Sequence, residues 1–141
     1  FVIDSNNGAN DTSRFKVEVG SAWWASASTS GFYNTGYWAT KIEPNSNLVG
    51  FRFDSDASQC FDVDAWWTAG TNRYSAATFI ATDANGHELG RAVVDQRSNG
   101  SKWNRLGRWT FPAGTNRVSL SRWGSGNLYV VADAVRLTAC N

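Results

Sequence analysis

The sequence has no methionine, one histidine, two prolines and two cysteines, and charged residues make up only 18% of its 141 positions. Its formal net charge of +1 gives no electrostatic reason to expect a nucleic acid partner. No apolar run approaches the roughly 20 residues that a membrane-spanning helix requires, so we expect no membrane partner. The length fits one domain, residues 1–141. Because the chain starts at Phe1 and lacks methionine, we expect a processed product or an excised domain.

The two cysteines, Cys60 and Cys140, lie far apart and belong to no CxxC pattern. This spacing, with no companion histidine, disfavours a zinc or redox motif. We expect a disulfide between them, which fits a secreted, extracellular protein, while two free buried thiols are the alternative. The bridge would tie the last strand to an interior one.

Alternation of apolar and polar residues is the main pattern along the chain, and it is typical of half-buried β-strands. In segment 60–68, Phe61, Val63 and Ala65 share one face. Asn85-Gly86 lies between two strand-like runs and predicts a tight hairpin. The predicted strands are residues 1–3, 14–19, one short strand within 20–40, 48–53, 60–68, 76–82, 91–96, 108–111, 117–123 and 128–137. About nine or ten short strands and no convincing helix predict an all-β fold, an antiparallel β-sandwich of the jelly-roll type.

Eight tryptophans in 141 residues exceed what a core of this size usually needs, so we expect some of them to face a ligand. Segment 99–111, NGSKWNRLGRWTF, holds two of them among hydrogen-bond donors. Strand alternation assigns Trp109 to the core. Trp103 follows a turn, and a core position and a ligand-binding position are equally compatible with the sequence.

Flat aromatic faces beside hydrogen-bonding side chains suit a sugar, whose C–H faces pack on rings while its hydroxyls need polar partners. Two sets of residues fit this description and are our candidate ligand-binding residues. The first set is Trp66, Asn72, Arg73, Gln96, Asn99, Lys102 and Trp103, and the second is Trp23, Tyr33, Tyr37 and Trp38. The second set lies in the long segment 20–40, for which we expect one short strand in an ordered loop. Two other rings there, Trp24 and Phe32, are expected to cover one end of the core.

No catalytic residue is predicted. His87 lies in the hairpin tip with no GxSxG or HExxH pattern around it. Asp62 and Asp64 are two apart on one strand face, whereas glycosidase carboxylates normally face each other across a cleft, so we expect both to pair with neighbouring Arg or Lys. Asp133 is embedded in apolar sequence, and we expect it to anchor loop amides or an arginine.

Three oxygen donors in the N-terminal loop, Asp4, Asn6 and Asp11, are of the kind that calcium prefers. Their spacing does not match an EF-hand loop, and solvated side chains are the more common explanation. We therefore expect no cofactor, with a structural calcium ion as the alternative.

Four C-terminal motifs resemble those of the golvesin C-terminal-like domain family, which is also described as similar to the carbohydrate-binding domain of xanthan lyase. They are Val94-Asp95-Gln96, the WxxLG turn at 103–107, the FxxG turn at 111–114 and the VVADAVR strand at 130–136. The pieces WWASASTSGFYNTGYWAT and CFDVDAWWTAGTNR are also similar to family segments, so the resemblance covers nearly the whole chain. One departure is the run Asn127-Leu128-Tyr129, where members usually have a tighter turn. The resemblance implies a jelly-roll β-sandwich, usually appended to secreted bacterial hydrolases and lyases, that binds polysaccharide.

The sequence therefore favours a non-catalytic carbohydrate-binding module of a secreted bacterial enzyme that degrades polysaccharide or peptidoglycan. Arg73 and Lys102 would favour an anionic polysaccharide or peptidoglycan as partner, and a catalytic domain attached to the module is expected. A small secreted hydrolase or lyase is the first alternative. A β-sandwich that docks a partner protein through its aromatic patch is the second.

Overall fold

The computed structural model describes residues 1–141, which form twelve β-strands and one short 3-10 helix, Asn7–Ala9. The strands are β1 Val2–Asp4, β2 Phe15–Val19, β3 Trp24–Ser26, β4 Tyr37–Lys41, β5 Leu48–Ser55, β6 Gln59–Trp66, β7 Ala77–Thr82, β8 Glu88–Val94, β9 Asn104–Phe111, β10 Gly114–Ser121, β11 Tyr129–Ala132 and β12 Ala134–Ala139. No helix is long and apolar enough to cross a membrane.

Three antiparallel sheets enclose one core. A four-stranded sheet has the order β1-β12-β6-β9, a five-stranded sheet the order β2-β5-β10-β7-β8, and a three-stranded sheet the order β11-β4-β3. Their inner faces bury a cluster of 24 apolar residues, which includes Phe51, Phe53, Phe79 and Phe111. This architecture confirms the predicted fold class, an all-β antiparallel β-sandwich of the jelly-roll type.

Strand alternation identified the core face correctly in β6. Phe61, Val63 and Ala65 are buried in the core cluster. Trp109, on the neighbouring strand, packs against the same cluster, as predicted. The predicted hairpin at Asn85-Gly86 joins β7 to β8, and Gly86 has a φ of 79°, a conformation that glycine adopts without strain.

The disulfide between Cys60 and Cys140 is present, and there are no free cysteines. It connects β6 to the residue that follows β12, and these two strands are also paired through their backbones. The amide of Cys140 donates a hydrogen bond to the carbonyl of Cys60. The last strand is therefore bonded to its neighbour both covalently and through the sheet.

Two stretches are organised differently from the sequence prediction. Segment 20–40 contains two short strands, β3 and β4, rather than one, and they pair with each other. The predicted single strand 128–137 is divided at Asp133: β11 pairs with β4 in one sheet, and β12 pairs with β6 in another. Asp133 thus lies at the corner where the chain passes from one sheet to the next.

The carboxylate of Asp133 is buried at this corner, with only 1% of the residue exposed. One oxygen accepts a hydrogen bond from the backbone N–H of Tyr33, as expected for an anchor of loop amides. The other oxygen has no partner. Burial, with a contribution from the charge of Asp4, raises the pKa of Asp133 to about 8. The group is therefore mostly protonated at neutral pH.

Candidate functional site

A cavity of about 290 Å³ opens between the β3–β4 pair, the turn that contains Arg73, and the start of β11. We call it the Trp24 cavity. Its lining residues are Trp24, Ser26, Ser28, Thr29, Tyr37, Ala39, Asn72, Arg73 and Tyr129. Two backbone hydrogen bonds hold its far wall together: the amide of Tyr129 donates to the carbonyl of Asn72, and the amide of Tyr74 donates to the carbonyl of Tyr129.

Two aromatic rings form one side of the Trp24 cavity. Trp24 is 47% exposed, and its ring meets that of Tyr129 edge to face, with 6.1 Å between the centroids. The expectation that Trp24 covers the core is therefore wrong. Trp23, immediately before β3, is the buried ring of the adjacent pair.

Arg73 supplies the positive charge of the Trp24 cavity. Only 6% of the residue is exposed, and its guanidinium donates to the carbonyl and hydroxyl of Thr68, the hydroxyl of Thr29 and the side-chain oxygen of Asn72. It forms none of the ion pairs of the protein. These contacts use four of its five N–H groups, so one remains for a ligand. A buried cation without a carboxylate partner favours an anionic or strongly polar ligand group.

The hydroxyl of Tyr37 lies at the back of the Trp24 cavity. It accepts hydrogen bonds from the backbone N–H of Thr29 and the hydroxyl of Ser26. Burial opposes ionisation, but the hydrogen bonds with Ser26, Thr29 and Ser28 outweigh it and lower the pKa of Tyr37 to about 7. Because this oxygen already accepts two hydrogen bonds, the neutral Tyr37 hydroxyl would offer a ligand its O–H, while Asn72 and Arg73 line the same cavity with N–H donors.

A second group of the predicted ligand-binding residues lies outside the Trp24 cavity. Tyr33, Trp66 and Trp103 pack together with ring centroids 5.2–5.5 Å apart, and we call them the tryptophan cluster. All three rings are half-buried. The indole N–H of Trp66 donates to the carbonyl of Gly31, which fixes the loop between β3 and β4 against the cluster. Thr29 in the same loop contacts Arg73, so this loop lines both places.

Asp62 and Asp64 are bound to arginines, as predicted. Arg108 donates two hydrogen bonds to Asp62, Arg105 lies between both carboxylates, and Arg136 donates to Asp64. The hydrogen bond from Arg108, assisted by the charge of Arg105, lowers the pKa of Asp62 against the opposing effect of burial. Neither carboxylate is arranged as a general acid, because both accept hydrogen bonds from arginine side chains.

The remaining predicted ligand-binding residues lie in neither the Trp24 cavity nor the tryptophan cluster. Gln96 has no exposed surface, and its amide exchanges two hydrogen bonds with the backbone of Val131. Trp23 is 6% exposed and donates to the carbonyl of Asn47. Both predictions are corrected, because these side chains do not line the Trp24 cavity and their polar groups are bonded to backbone. Asn99 and Lys102 are exposed in the turn before Trp103 and contact neither Arg73 nor Tyr37 through a hydrogen bond.

Trp38 lines a larger groove of about 610 Å³, which shares Ser26 and Tyr37 with the Trp24 cavity. Its ring N–H donates to the backbone carbonyl of Ser5. The groove contains no charged side chain and no exposed aromatic ring. We favour the Trp24 cavity because it combines exposed rings with converging donors and acceptors.

The three oxygen donors considered for calcium have separate protein partners. Asp4 accepts from the amide of Asn6 and the side chain of Asn34, Asn6 accepts from the amide of Gly8, and Asp11 accepts from the hydroxyl of Ser13. No group of three or more histidine, cysteine or acidic side chains could hold a metal ion. The calcium alternative for these residues stays a prediction.

Comparison with known proteins gives a consistent result. The model of the Golvesin C-terminal domain matches residues 8–139. A xanthan lyase of Bacillus sp. (strain GL1) is 37% identical over 82 residues, a match that covers 56% of this chain and 9% of that enzyme. The structure of Paenibacillus xanthan lyase superposes with a TM-score of 0.80 and 26% identity over 99% of this chain and 13% of the enzyme. A family 35 carbohydrate binding module from Clostridium thermocellum shares the fold over 99% of this chain and 98% of its own, with a TM-score of 0.67 and 14% identity.

Proposed function

The chain belongs to the Golvesin C-terminal domain family, and we propose that it is a non-catalytic module, comprising residues 1–141, that binds polysaccharide. Its relatives among the xanthan lyases are many times longer, so a module of this kind would bring an attached catalytic domain to its substrate. The disulfide supports an extracellular location, where such bonds persist.

The observation that carries this proposal is the exposed ring of Trp24 beside a cavity with fixed polar groups. A sugar stacks one apolar face on such a ring, and its hydroxyls then meet the hydroxyl of Tyr37 and the N–H groups of Asn72 and Arg73. Because Arg73 has no carboxylate partner in the protein, an acidic sugar would gain more from this site than a neutral one. The absence of a positioned nucleophile or a free carboxylate pair among the described contacts makes catalysis at this cavity a weaker proposal.

We expect Trp24→Ala to lower the affinity for a bound polysaccharide about 10- to 100-fold, the range expected when an aromatic anchor is truncated. Stability should change little, because about half of the side chain is already in water. The first measurement is a pull-down with insoluble polysaccharides and peptidoglycan. Whichever ligand binds, and xanthan as well, is then titrated into the protein while its intrinsic tryptophan fluorescence is recorded.

The matched control is Trp123→Ala, which removes a tryptophan that is 59% exposed and does not line the cavity. Equal losses in both variants would contradict the assignment of the site. The same samples are analysed for shortened or unsaturated sugar products, whose appearance would favour a hydrolase or lyase. Binding to the attached enzyme but to no glycan would favour a protein-docking module.

A further inference from the structure

The outer side of the four-stranded sheet carries three arginines in a row, Arg105, Arg108 and Arg136, and we call it the arginine face. The β6–β9 pairing aligns Asp64 with Arg105 and Asp62 with Arg108, and the β6–β12 pairing aligns Asp64 with Arg136. The row therefore results directly from strand register. It lies outside the Trp24 cavity, whose lining includes none of these residues.

The two carboxylates beneath the arginine face hold its guanidinium groups in place. Arg108 Nε is 2.8 Å from Asp62, Arg105 Nε is 2.9 Å from Asp64, and Arg136 Nη2 is 3.2 Å from the other oxygen of Asp64. Both aspartates are almost completely buried, whereas the side chains of Arg105 and Arg108 are 54% and 56% exposed. The negative charges thus lie below the surface and the positive charges lie on it.

The charge of this surface is not balanced. Three guanidinium groups oppose two carboxylates, and the Nη1 groups of Arg108 and Arg136 make no hydrogen bond to the protein. Lys102, in the turn that leads into β9, is exposed and forms no ion pair. A carboxylate arriving from solvent would therefore find oriented donors whose side-chain entropy is already lost.

The arginine face continues into the tryptophan cluster. The guanidinium carbon of Arg136 lies 4.7 Å from the centroid of Trp103, a cation–π contact. Half-buried rings of Trp66, Trp103 and Tyr33 thus border the cationic row. Rings beside oriented cations are the combination that suits a sugar polymer bearing carboxylates, since the sugar ring packs and the carboxylate pairs.

We propose that the arginine face and the tryptophan cluster form a second glycan-binding site, which takes the uronate residues of an acidic polysaccharide. This proposal rests on the proposed function in assuming that the module binds polysaccharide, but it concerns a different surface and a ligand of defined charge. The small net charge of the whole chain disfavours nucleic acid, the other polyanion that arginines and aromatic rings could bind.

The variant that tests this site is Arg105→Gln. Removal of Arg105 leaves each carboxylate with a hydrogen-bonded arginine, because Asp62 keeps Arg108 and Asp64 keeps Arg136. The probe is a polygalacturonate oligosaccharide, compared with its methyl ester, in which the same sugars carry no charge. We expect wild-type binding to polygalacturonate to weaken as salt rises, binding to the ester to be much weaker, and Arg105→Gln to lose about fivefold in affinity. Arg105→Lys, which keeps the charge, should recover part of the loss.

The control is Arg91→Gln, which removes an equally exposed arginine from an ion pair on β8 and should leave the affinity unchanged. Four results would each overturn the proposal. Two concern comparisons: Arg105→Gln and Arg91→Gln bind with equal affinity, or the ester binds as well as the acid. The other two concern the wild type, which either fails to bind polygalacturonate or binds single-stranded DNA more tightly. So would complete loss of polygalacturonate binding in Trp24→Ala, because the polymer would then need only the cavity. The proposed function fails by a separate result, in which Trp24→Ala leaves the affinity for every polysaccharide, charged or neutral, unchanged.

Discussion

The variant in which both Cys60 and Cys140 are serine will lose about 4 kcal/mol of unfolding free energy, the value that chain entropy gives for a loop of this length. The bridge joins residues 80 positions apart, so its removal lets the unfolded chain explore many more conformations. In the folded state β12 remains paired with β6 through its backbone. The fold should therefore persist, with a melting temperature lower by about 10 °C or more.

Thermal and urea unfolding of the double variant, with and without reductant, checks this expectation. The wild type in reductant should approach the double variant, whereas the double variant should not respond to reductant. A melting temperature within about 2 °C of the oxidised wild type would show that the bridge adds little to the paired strands.

Asp133→Asn will stabilise the protein at alkaline pH and leave its stability nearly unchanged at pH 4. In the folded state burial raises the pKa of Asp133 to about 8, whereas the unfolded chain has the ordinary value near 4. At a pH between these two pKa values, the carboxyl of Asp133 has lost its proton in the unfolded state but retains it in the folded state. Unfolding therefore becomes more favourable as pH rises, by up to about 1.4 kcal/mol for each pH unit, and asparagine removes this dependence. Over the roughly four pH units between these values, the dependence gives an expected gain of about 5 kcal/mol at pH 8.

Asparagine suits this corner because its side-chain oxygen can still accept the N–H of Tyr33. Its amide group would occupy the position of the carboxylate oxygen that has no partner. Urea unfolding at pH 4, 6 and 8, with EDTA present, measures the effect. A stabilising effect of added calcium that disappears in Asp133→Asn would contradict the assignment of Asp133 as a protonated acid.

Asp62→Asn is the matched control, since it replaces a carboxylate whose pKa is lowered rather than raised. The hydrogen bond from Arg108 lowers the pKa of Asp62, so the wild type gains stability from this pair above the ordinary pKa and loses it as pH falls through the lowered value. Asp62→Asn should therefore be less stable than the wild type at neutral pH, whereas Asp133→Asn should not.

The fold was predictable because most strands are half-buried and show the alternation this produces. In β6 the alternation placed both the core residues and the aspartates correctly. The division of the last strand was not predictable from the same pattern, because β11 and β12 are both apolar and only the pairing partners change at Asp133. Asp133, the one acidic residue inside this run, was the local sign of the corner.

The site was less predictable because its residues come together only in the fold. The sequence does not say which ring of the pair at 23 and 24 is exposed, because Trp23 lies just before β3 and Trp24 begins it. Tyr129 lies in a run that resembles core sequence, and its position beside Asn72 and Arg73 depends on backbone bonds between distant segments. Gln96 was misassigned because a polar residue that bonds a buried backbone resembles one that faces a ligand.

The path of the chain from β11 to the disulfide has a mechanical consequence. If a polymer binds at Tyr129, as proposed, tension on it would pull on β11, and the chain continues through Asp133 into β12. The residue after β12 is bonded to β6 by the disulfide. Tension on the ligand would therefore be borne by a covalent bond as well as by the hydrogen bonds between β12 and β6. An anchor that holds an enzyme to a solid, moving substrate would thus resist being peeled open from its C-terminal strand.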